Sequence, residues 1–204
     1  MGPTPGRAAG SDPHIGQAPG RLALLQAFVN TLDIEQATDE LSSPATLGGW
    51  LQSAGLATAS ADQPGAADLV QAVELREALR GVLRSHVARQ PVPVAEPAGR
   101  LAEIAATMRA SIGVAADGSL RVSAADRGAQ AALAELLLVA AEAQILGTWS
   151  RLKVCSAVDC QWAFYDRSPT RSGCWCSMQG CGSRAKSRAY RQRSTAQAGR
   201  VLER

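Results

Sequence analysis

The sequence is short of the residues that most enzymes use for catalysis. Its only histidines are His14 and His86, and aromatic residues make up 4% of the chain. It contains neither a glycine-rich phosphate loop nor a nucleophile–base motif. The acidic side chains between residues 33 and 40 could support acid–base chemistry, but a solvated loop explains them more simply. We therefore predict that the chain is not an enzyme.

Long uninterrupted apolar runs are also missing. The most apolar stretch, residues 129–146, is broken by Gln130, Glu135, Glu142 and Gln144. Charges at the centre of a span are costly in lipid, so this stretch predicts a buried helix of a soluble protein. Residues 1–19 are rich in proline and glycine and resemble no signal peptide, which predicts a disordered leader. We expect a cytoplasmic protein without a membrane partner.

Cysteine is absent from the first 154 residues and then occurs five times within 27 residues. The positions are 155, 160, 174, 176 and 181. In a reducing compartment, clustered cysteines favour a metal site over disulfides, and an odd number argues against complete pairing. The cluster predicts bound metal.

The two charge signs are distributed unevenly along the chain, although the total is only +3. Residues 1–150 hold 10 basic and 15 acidic side chains, a net charge of −5, whereas residues 151–204 hold 11 and 3, a net charge of +8. This asymmetry predicts that the C-terminal segment faces a polyanion. Two domains that attract each other would also account for it.

Apolar periodicity predicts a mostly helical domain over residues 20–149, of the α or α+β class. Helices are predicted over residues 20–32, from Pro44 with Ser43 as cap, and over about 68–88, 98–111 and 124–149. Two β-prone runs around Asp117 and Gly118 predict a small hairpin. The four-residue recurrence of Arg76, Arg80 and Arg84 predicts a solvated helix face.

The cysteine spacing is typical of a structural zinc site. Cys155 and Cys160 form one pair, Cys176 and Cys181 another, and fifteen residues separate the pairs. Cys174 could replace Cys176, but Cys176 gives both pairs the same spacing. We predict a closed four-thiolate Zn²⁺ site around a small aromatic core of Trp162, Phe164, Tyr165 and Trp175. Such a site stabilises a fold and does not catalyse.

A strongly basic helix is predicted after the last zinc ligand. Its cations lie on two flanks of an alanine seam, which suits binding along phosphates or in a major groove. The alternative is a solvated helix whose cations balance the zinc site and the acidic domain. The candidate DNA-binding cations are Arg184, Lys186, Arg188, Arg191 and Arg193.

The segment from Cys155 to Arg193 resembles the CGNR-type zinc finger, which is named for its last ligand cysteine and the next three residues. Here the quartet reads Cys181-Gly182-Ser183-Arg184, with serine in place of asparagine. In that family the finger follows an ABATE domain, and residues 21–56 are similar to its opening. The resemblance implies a treble-clef-like finger ending in a basic helix and a stress-induced transcriptional regulator of bacteria.

The resemblance also organises the chain into functional parts. We expect a leader over residues 1–19, an ABATE-like domain over 20–149, the finger over 150–197 and a tail over 198–204. The finger is expected to contact DNA, with Ser183 among the contacts, while the helical domain senses a small molecule or forms a homodimer. Candidate effector ligands are Asn30, Thr31 and Trp50. The alternative is a protein-protein or RNA-binding module.

Overall fold

The computed structural model describes residues 15–57, 63–87, 93–125 and 127–202, with side chains up to Ser194. Within these ranges the chain is mainly α-helical, as predicted, with three small antiparallel sheets, the smallest of which pairs β2 (Leu32–Asp33) with β3 (Thr38–Asp39). The first five helices are α1 (Leu22–Val29), α2 (Pro44–Ser53), α3 (Ala66–Ser85), α4 (Ala95–Ala106) and α5 (Gly128–Ile145). The sixth, α6 (Ser183–Leu202), belongs to the finger.

The main core lies between α1, α2, α3 and α5. Its fully buried side chains include Leu25, Phe28, Leu47, Leu75 and Leu133. The predicted start of α2 is confirmed: the Ser43 hydroxyl accepts a hydrogen bond from the Thr46 amide at 3.2 Å, and Pro44 follows. The cap satisfies a donor that the helix itself leaves unpaired.

Glycine permits the close packing of α4 on α3. A Cβ atom at Gly81 would lie 2.7 Å from the ring of Pro97, closer than two carbons can approach. The two helices therefore meet where one of them has no side chain. Their association fixes the segment that leads into the next strand pair.

Strands β4 (Ala110–Val114) and β5 (Leu120–Ala124) form the predicted hairpin, with Ile112 opposite Val122. The turn uses Gly118 in the left-handed region, at φ +82°. Such a φ favours glycine, which explains the Asp117-Gly118 pair. The hairpin contacts the rest of the molecule mainly through β5 and α5.

The solvated arginine face predicted for α3 is wrong for two of its three members. Arg76 and Arg80 are only 2% and 3% exposed. Arg76 binds both carboxylate oxygens of Asp39, at 2.6 and 2.9 Å, so the acidic segment is tied to α3. Burial raises the pKa of Asp39, but the hydrogen bonds from Arg76 and from the Leu41 amide, together with the charges of Arg76 and Arg80, outweigh it and hold the pKa below its usual range.

Arg80 extends this polar network to the finger. Its guanidinium donates to the backbone carbonyls of Val29 at 2.6 Å and Gln161 at 2.8 Å. Val29 ends α1, and Gln161 directly follows Cys160, the second of the predicted zinc ligands. One buried cation therefore joins three segments that are distant in sequence.

A three-stranded sheet connects the finger to the chain's beginning. Its order is β1 (Ile15–Gly16), β7 (Ala163–Asp166), β6 (Leu152–Val154). Ile15 pairs with Asp166 and Gly16 with Tyr165. These two residues, which the sequence predicts to belong to a disordered leader, form a strand instead. Residues 1–14 of that predicted leader lie outside the described residues.

Helix α5 is the one described helix that is long and apolar enough to cross a membrane by length and composition alone. Seven of its residues are buried, and it packs against α1, α2 and α3. Its place in the core of the helical domain accounts for its apolar character.

Candidate metal centre and its basic helix

The first cysteine pair lies around the turn between β6 and β7. Cys155 follows β6 directly, and its amide donates to the Trp162 carbonyl at 3.0 Å. The Cys160 amide closes the turn by donating to Ala157 at 3.0 Å. Gln161 then adopts φ +51°, which reverses the chain into β7. Backbone bonding thus brings both thiols to one point.

The second pair is positioned by a single π-helical turn, Met178–Gly182. The Ser177 hydroxyl caps this turn by accepting from the Gly180 amide at 3.1 Å. Cys176 precedes the cap, and Cys181 lies near the end of the turn, just before α6 begins. The last ligand is therefore rigidly linked to the start of the basic helix.

The four predicted ligands form one buried cluster. The sulfur atoms of Cys155, Cys160, Cys176 and Cys181 all lie within 4.8 Å of one another. Cys160 and Cys176 sulfurs are 3.5 Å apart, and those of Cys176 and Cys181 are 3.8 Å apart. Four sulfurs at about 2.3 Å from a tetrahedral Zn²⁺ would be about 3.8 Å apart. The site fits zinc and leaves no position for a catalytic water.

The electrostatics of the cluster also favour a cation. Hydrogen bonds from Cys160 and Cys176 lower the pKa of Cys155 to about 4. The same bonds to Cys155 raise the pKa values of Cys160 and Cys176. One thiolate therefore suppresses ionisation of its neighbours, and only a positive ion allows all four to be thiolates.

Cys174 is not a member of the cluster. It is buried beside it, and its carbonyl accepts from the Ser156 amide at 2.9 Å. This contact holds the third ligand's segment against the first ligand's turn. The preference for Cys176 over Cys174 as a ligand is confirmed.

The predicted aromatic core of the finger is right for three of its four members. Phe164, Trp162 and Trp175 pack with the cysteines and with Ile15. Tyr165 instead points to the opposite face of β7 and joins the core of the helical domain. The alternation of β7 thus connects the two cores through one strand.

A buried ion pair that the sequence did not reveal holds the loop before Cys174. Lys153 Nζ and Asp166 Oδ2 are 2.8 Å apart, and both side chains are 1% exposed. Asp166 also accepts from the Ser168 and Gly173 amides, at 2.9 and 2.8 Å. A Cβ atom at Gly173 would lie 2.9 Å from the Asp166 carboxylate. The pair therefore requires glycine at that position.

Helix α6 packs extensively against just one described element, the π-helical turn before it. Two of its cations face the chain itself. Arg184 binds the Glu35 carboxylate at 2.6 Å and the Cys181 sulfur at 3.0 Å, and Arg188 lies 3.4 Å from Asp159. These contacts raise the pKa of Arg184 above its usual range, the bonds to Glu35 contributing most. They also offset the negative charge of the thiolates.

The other flank of α6 faces solvent. Lys186, Tyr190 and Arg193 are exposed, and no ion pair of Lys186 or Arg193 is found among the described residues. Arg191 has a partner within the chain. The alanine seam does not pack as predicted, because Ala185 is half-buried but Ala189 is exposed.

Ser183 connects the zinc turn to α6. Its hydroxyl donates to the Met178 carbonyl at 3.1 Å, which supports the turn that carries Cys181. The side chain at this position therefore has a structural partner inside the finger, and no nucleic-acid contact is needed to account for it.

The three candidate effector ligands all have structural contacts. The Asn30 amide donates to the Ala163 carbonyl at 2.9 Å and accepts from its N–H at 2.7 Å. Thr31 donates to the Phe28 carbonyl at 2.8 Å, and Trp50 packs on the Phe28 ring with centroids 5.3 Å apart. A small-molecule site at these residues stays a prediction.

Comparison with protein families matches both parts of the chain. Residues 20–147 match the ABATE family, described as "Putative stress-induced transcription regulator". The chain belongs to the ABATE family. Residues 151–194 match the CGNR zinc finger, so the suspected architecture is confirmed. Neither is an enzyme family. A search of the curated proteins found no match.

Proposed function

We propose that this chain, with its ABATE domain and CGNR zinc finger, is a zinc-dependent regulator that binds duplex DNA through the solvent-facing flank of α6. The family membership supports a regulatory role, and the four-cysteine centre supports a zinc-folded binding module. Zinc stabilises the turn from which α6 emerges, and it takes no part in contacts with the nucleic acid. The helix supplies the contacts.

The observation that carries the proposal is the division of the α6 cations into two sets. Arg184 and Arg188 pair with acidic residues of the chain, so they orient the helix. Lys186 and Arg193 face outward with Tyr190 between them. A helix with one flank anchored and the other basic is suited to lie along phosphates or enter a major groove. Of the six residues predicted from sequence, Lys186 and Arg193 are the strongest candidates.

The test measures the salt dependence of binding to a fluorescent duplex by anisotropy. Each phosphate contact contributes about −0.9 to the slope of log K against log salt. Replacing both Lys186 and Arg193 with alanine should therefore make the slope shallower by about 2 and weaken binding at low salt. Arg100→Ala is the matched control, since Arg100 is an exposed cation of α4 that pairs with Glu96 on the same helix.

Two results would contradict the proposal. One is the absence of duplex binding by the zinc-loaded protein at low salt. The other is an equal change of slope in the double variant and in Arg100→Ala, which would indicate non-specific attraction. Competition between the duplex and single-stranded RNA tests the RNA-binding alternative. If the exposed Tyr190 stacks on unpaired bases, RNA will bind more tightly than the duplex.

A further inference from the structure

The β4–β5 hairpin exposes an unusual apolar face. Residues that alternate along the two strands share a face, and on one side of this hairpin all six are apolar. They are Ala110, Ile112, Val114, Leu120, Val122 and Ala124. The other face carries Ser111, Gly113, Arg121 and Ser123. The alternation is that of a half-buried sheet, yet the apolar half faces solvent.

The exposure is large for aliphatic side chains. Ile112, Val114, Leu120 and Val122 are 74%, 71%, 74% and 53% exposed. Contiguous apolar patches of this kind mark interaction surfaces in soluble proteins. An isolated two-stranded hairpin is also only marginally stable and needs a further layer to pack on. Within the part of the chain that the structure describes, the four large apolar side chains of this face therefore have no packing partner that covers them.

The parts of the chain outside the described residues do not offer such a partner. They are residues 1–14, 58–62, 88–92, 126 and 203–204, and none of these segments contains a run of large apolar side chains. A membrane surface is disfavoured because the face carries no aromatic and no basic residue, and its turn carries Asp117. A partner must instead present an uncharged aliphatic surface of the same size. A second copy of the same hairpin does so.

We propose that two copies of this chain dimerise by stacking their β4–β5 hairpins face to face. Ile112 and Val122, which lie opposite each other at the centre of the hairpin, form the centre of the contact. An aliphatic side chain of this type buries on the order of 100 Å². At the exposures given above the four contribute roughly 300 Å² per copy, or about 600 Å² over both copies, which is the apolar centre of a weak interface near the lower size limit.

The size of the patch sets the expected strength. Interfaces near the lower limit are weak, so we expect a dissociation constant in the micromolar range, roughly 1 to 100 µM. The inference does not depend on DNA binding. Dimerisation would place two basic helices in one particle, and their linked binding would add avidity.

Sedimentation equilibrium of the zinc-loaded chain over that concentration range tests the proposal. Wild-type protein should pass from monomer to dimer, whereas Ile112→Asp should weaken association at least about tenfold, because it would bury an unpaired carboxylate. Ser123→Asp adds the same charge to the opposite, polar face and should associate as wild type does. Equal melting temperatures and zinc contents of the three proteins establish that each is folded.

Three outcomes would overturn the proposal. A wild-type chain that stays monomeric throughout the range has no such interface. A dimer that persists in Ile112→Asp uses a different surface. Binding of wild type, but not of Ile112→Asp, to neutral phospholipid vesicles without self-association would assign the face to a membrane instead.

Discussion

Asn30 joins the helical domain to the finger through both ends of its side-chain amide. The amide makes a donor and an acceptor bond to the backbone of Ala163, the first residue of β7. Sequence reasoning placed Asn30 in an effector site, because a polar residue at the end of an apolar helix suits either role. The partner lies 133 positions away, and no local pattern reveals it.

Replacing Asn30 with alanine leaves the Ala163 N–H and carbonyl without this partner. We expect a loss of about 1–3 kcal/mol in the free energy of unfolding, measured by urea denaturation of the zinc-loaded protein. Gln52→Ala, at an exposed position of α2, is the control and should change stability by less than about 0.5 kcal/mol. A stable Asn30→Ala variant would show that the amide bonds contribute little to the joining of the two domains.

Arg76 is a second single residue whose partner a local sequence pattern does not predict. Its recurrence with Arg80 and Arg84 correctly places them on one side of α3, but a helix period does not state what that side contacts. That side of α3 contacts Asp39, 37 residues earlier, which forms an ion pair with the buried Arg76. Tertiary partners of this kind are fixed by packing and not by periodicity.

At the scale of helices and strands, the contact between α3 and α4 predicts that alanine at Gly81 destabilises the protein, whereas helix propensity alone predicts that it stabilises. Alanine is favoured over glycine in a helix interior by about 1 kcal/mol. At Gly81, however, the added methyl group would meet the Pro97 ring at 2.7 Å. We expect Gly81→Ala to lower the free energy of unfolding by about 1–3 kcal/mol, as overpacking does.

Gly99→Ala on α4 is the matched control for this substitution. A Cβ atom at Gly99 meets nothing within 4 Å, so the propensity gain should appear there as a stabilisation of up to about 1 kcal/mol. Urea denaturation of both variants checks the pair. Stabilisation by Gly81→Ala would show that the two helices can separate at no cost.

The elements themselves could be predicted to different extents. The cap of α2, the hairpin turn at Asp117-Gly118 and the cysteine ligands have local chemical signatures, and the structure confirms them. Strand β1 could not be found, because two residues in a proline- and glycine-rich stretch carry no periodicity. Its pairing with β7 depends on the sheet that the finger provides.

In the whole molecule, the finger is integrated with the ABATE domain and is not an appended module. Leu152, Val154, Ala163 and Tyr165 of the finger's strands belong to the same core as α1, α3 and α5. The charge split of the sequence has a structural counterpart at Glu35, which binds Arg184. Attraction between the two parts of the chain therefore accounts for Arg184 and Arg188, and the polyanion explanation stays a prediction for Lys186 and Arg193.

The central claim is that zinc holds α6 in place for binding DNA, and chelation tests it most directly. Binding to a labelled duplex should be measured at low salt before chelation, after removal of zinc, and after zinc is restored. We predict at least a tenfold loss of affinity on removal, equivalent to about 1.4 kcal/mol, and full recovery on restoration. Without the ion the four cysteines cannot all be thiolates and no bonds join the two cysteine pairs, so the turn that carries α6 loses its structure. Affinity that is unchanged in the metal-free protein would contradict the account.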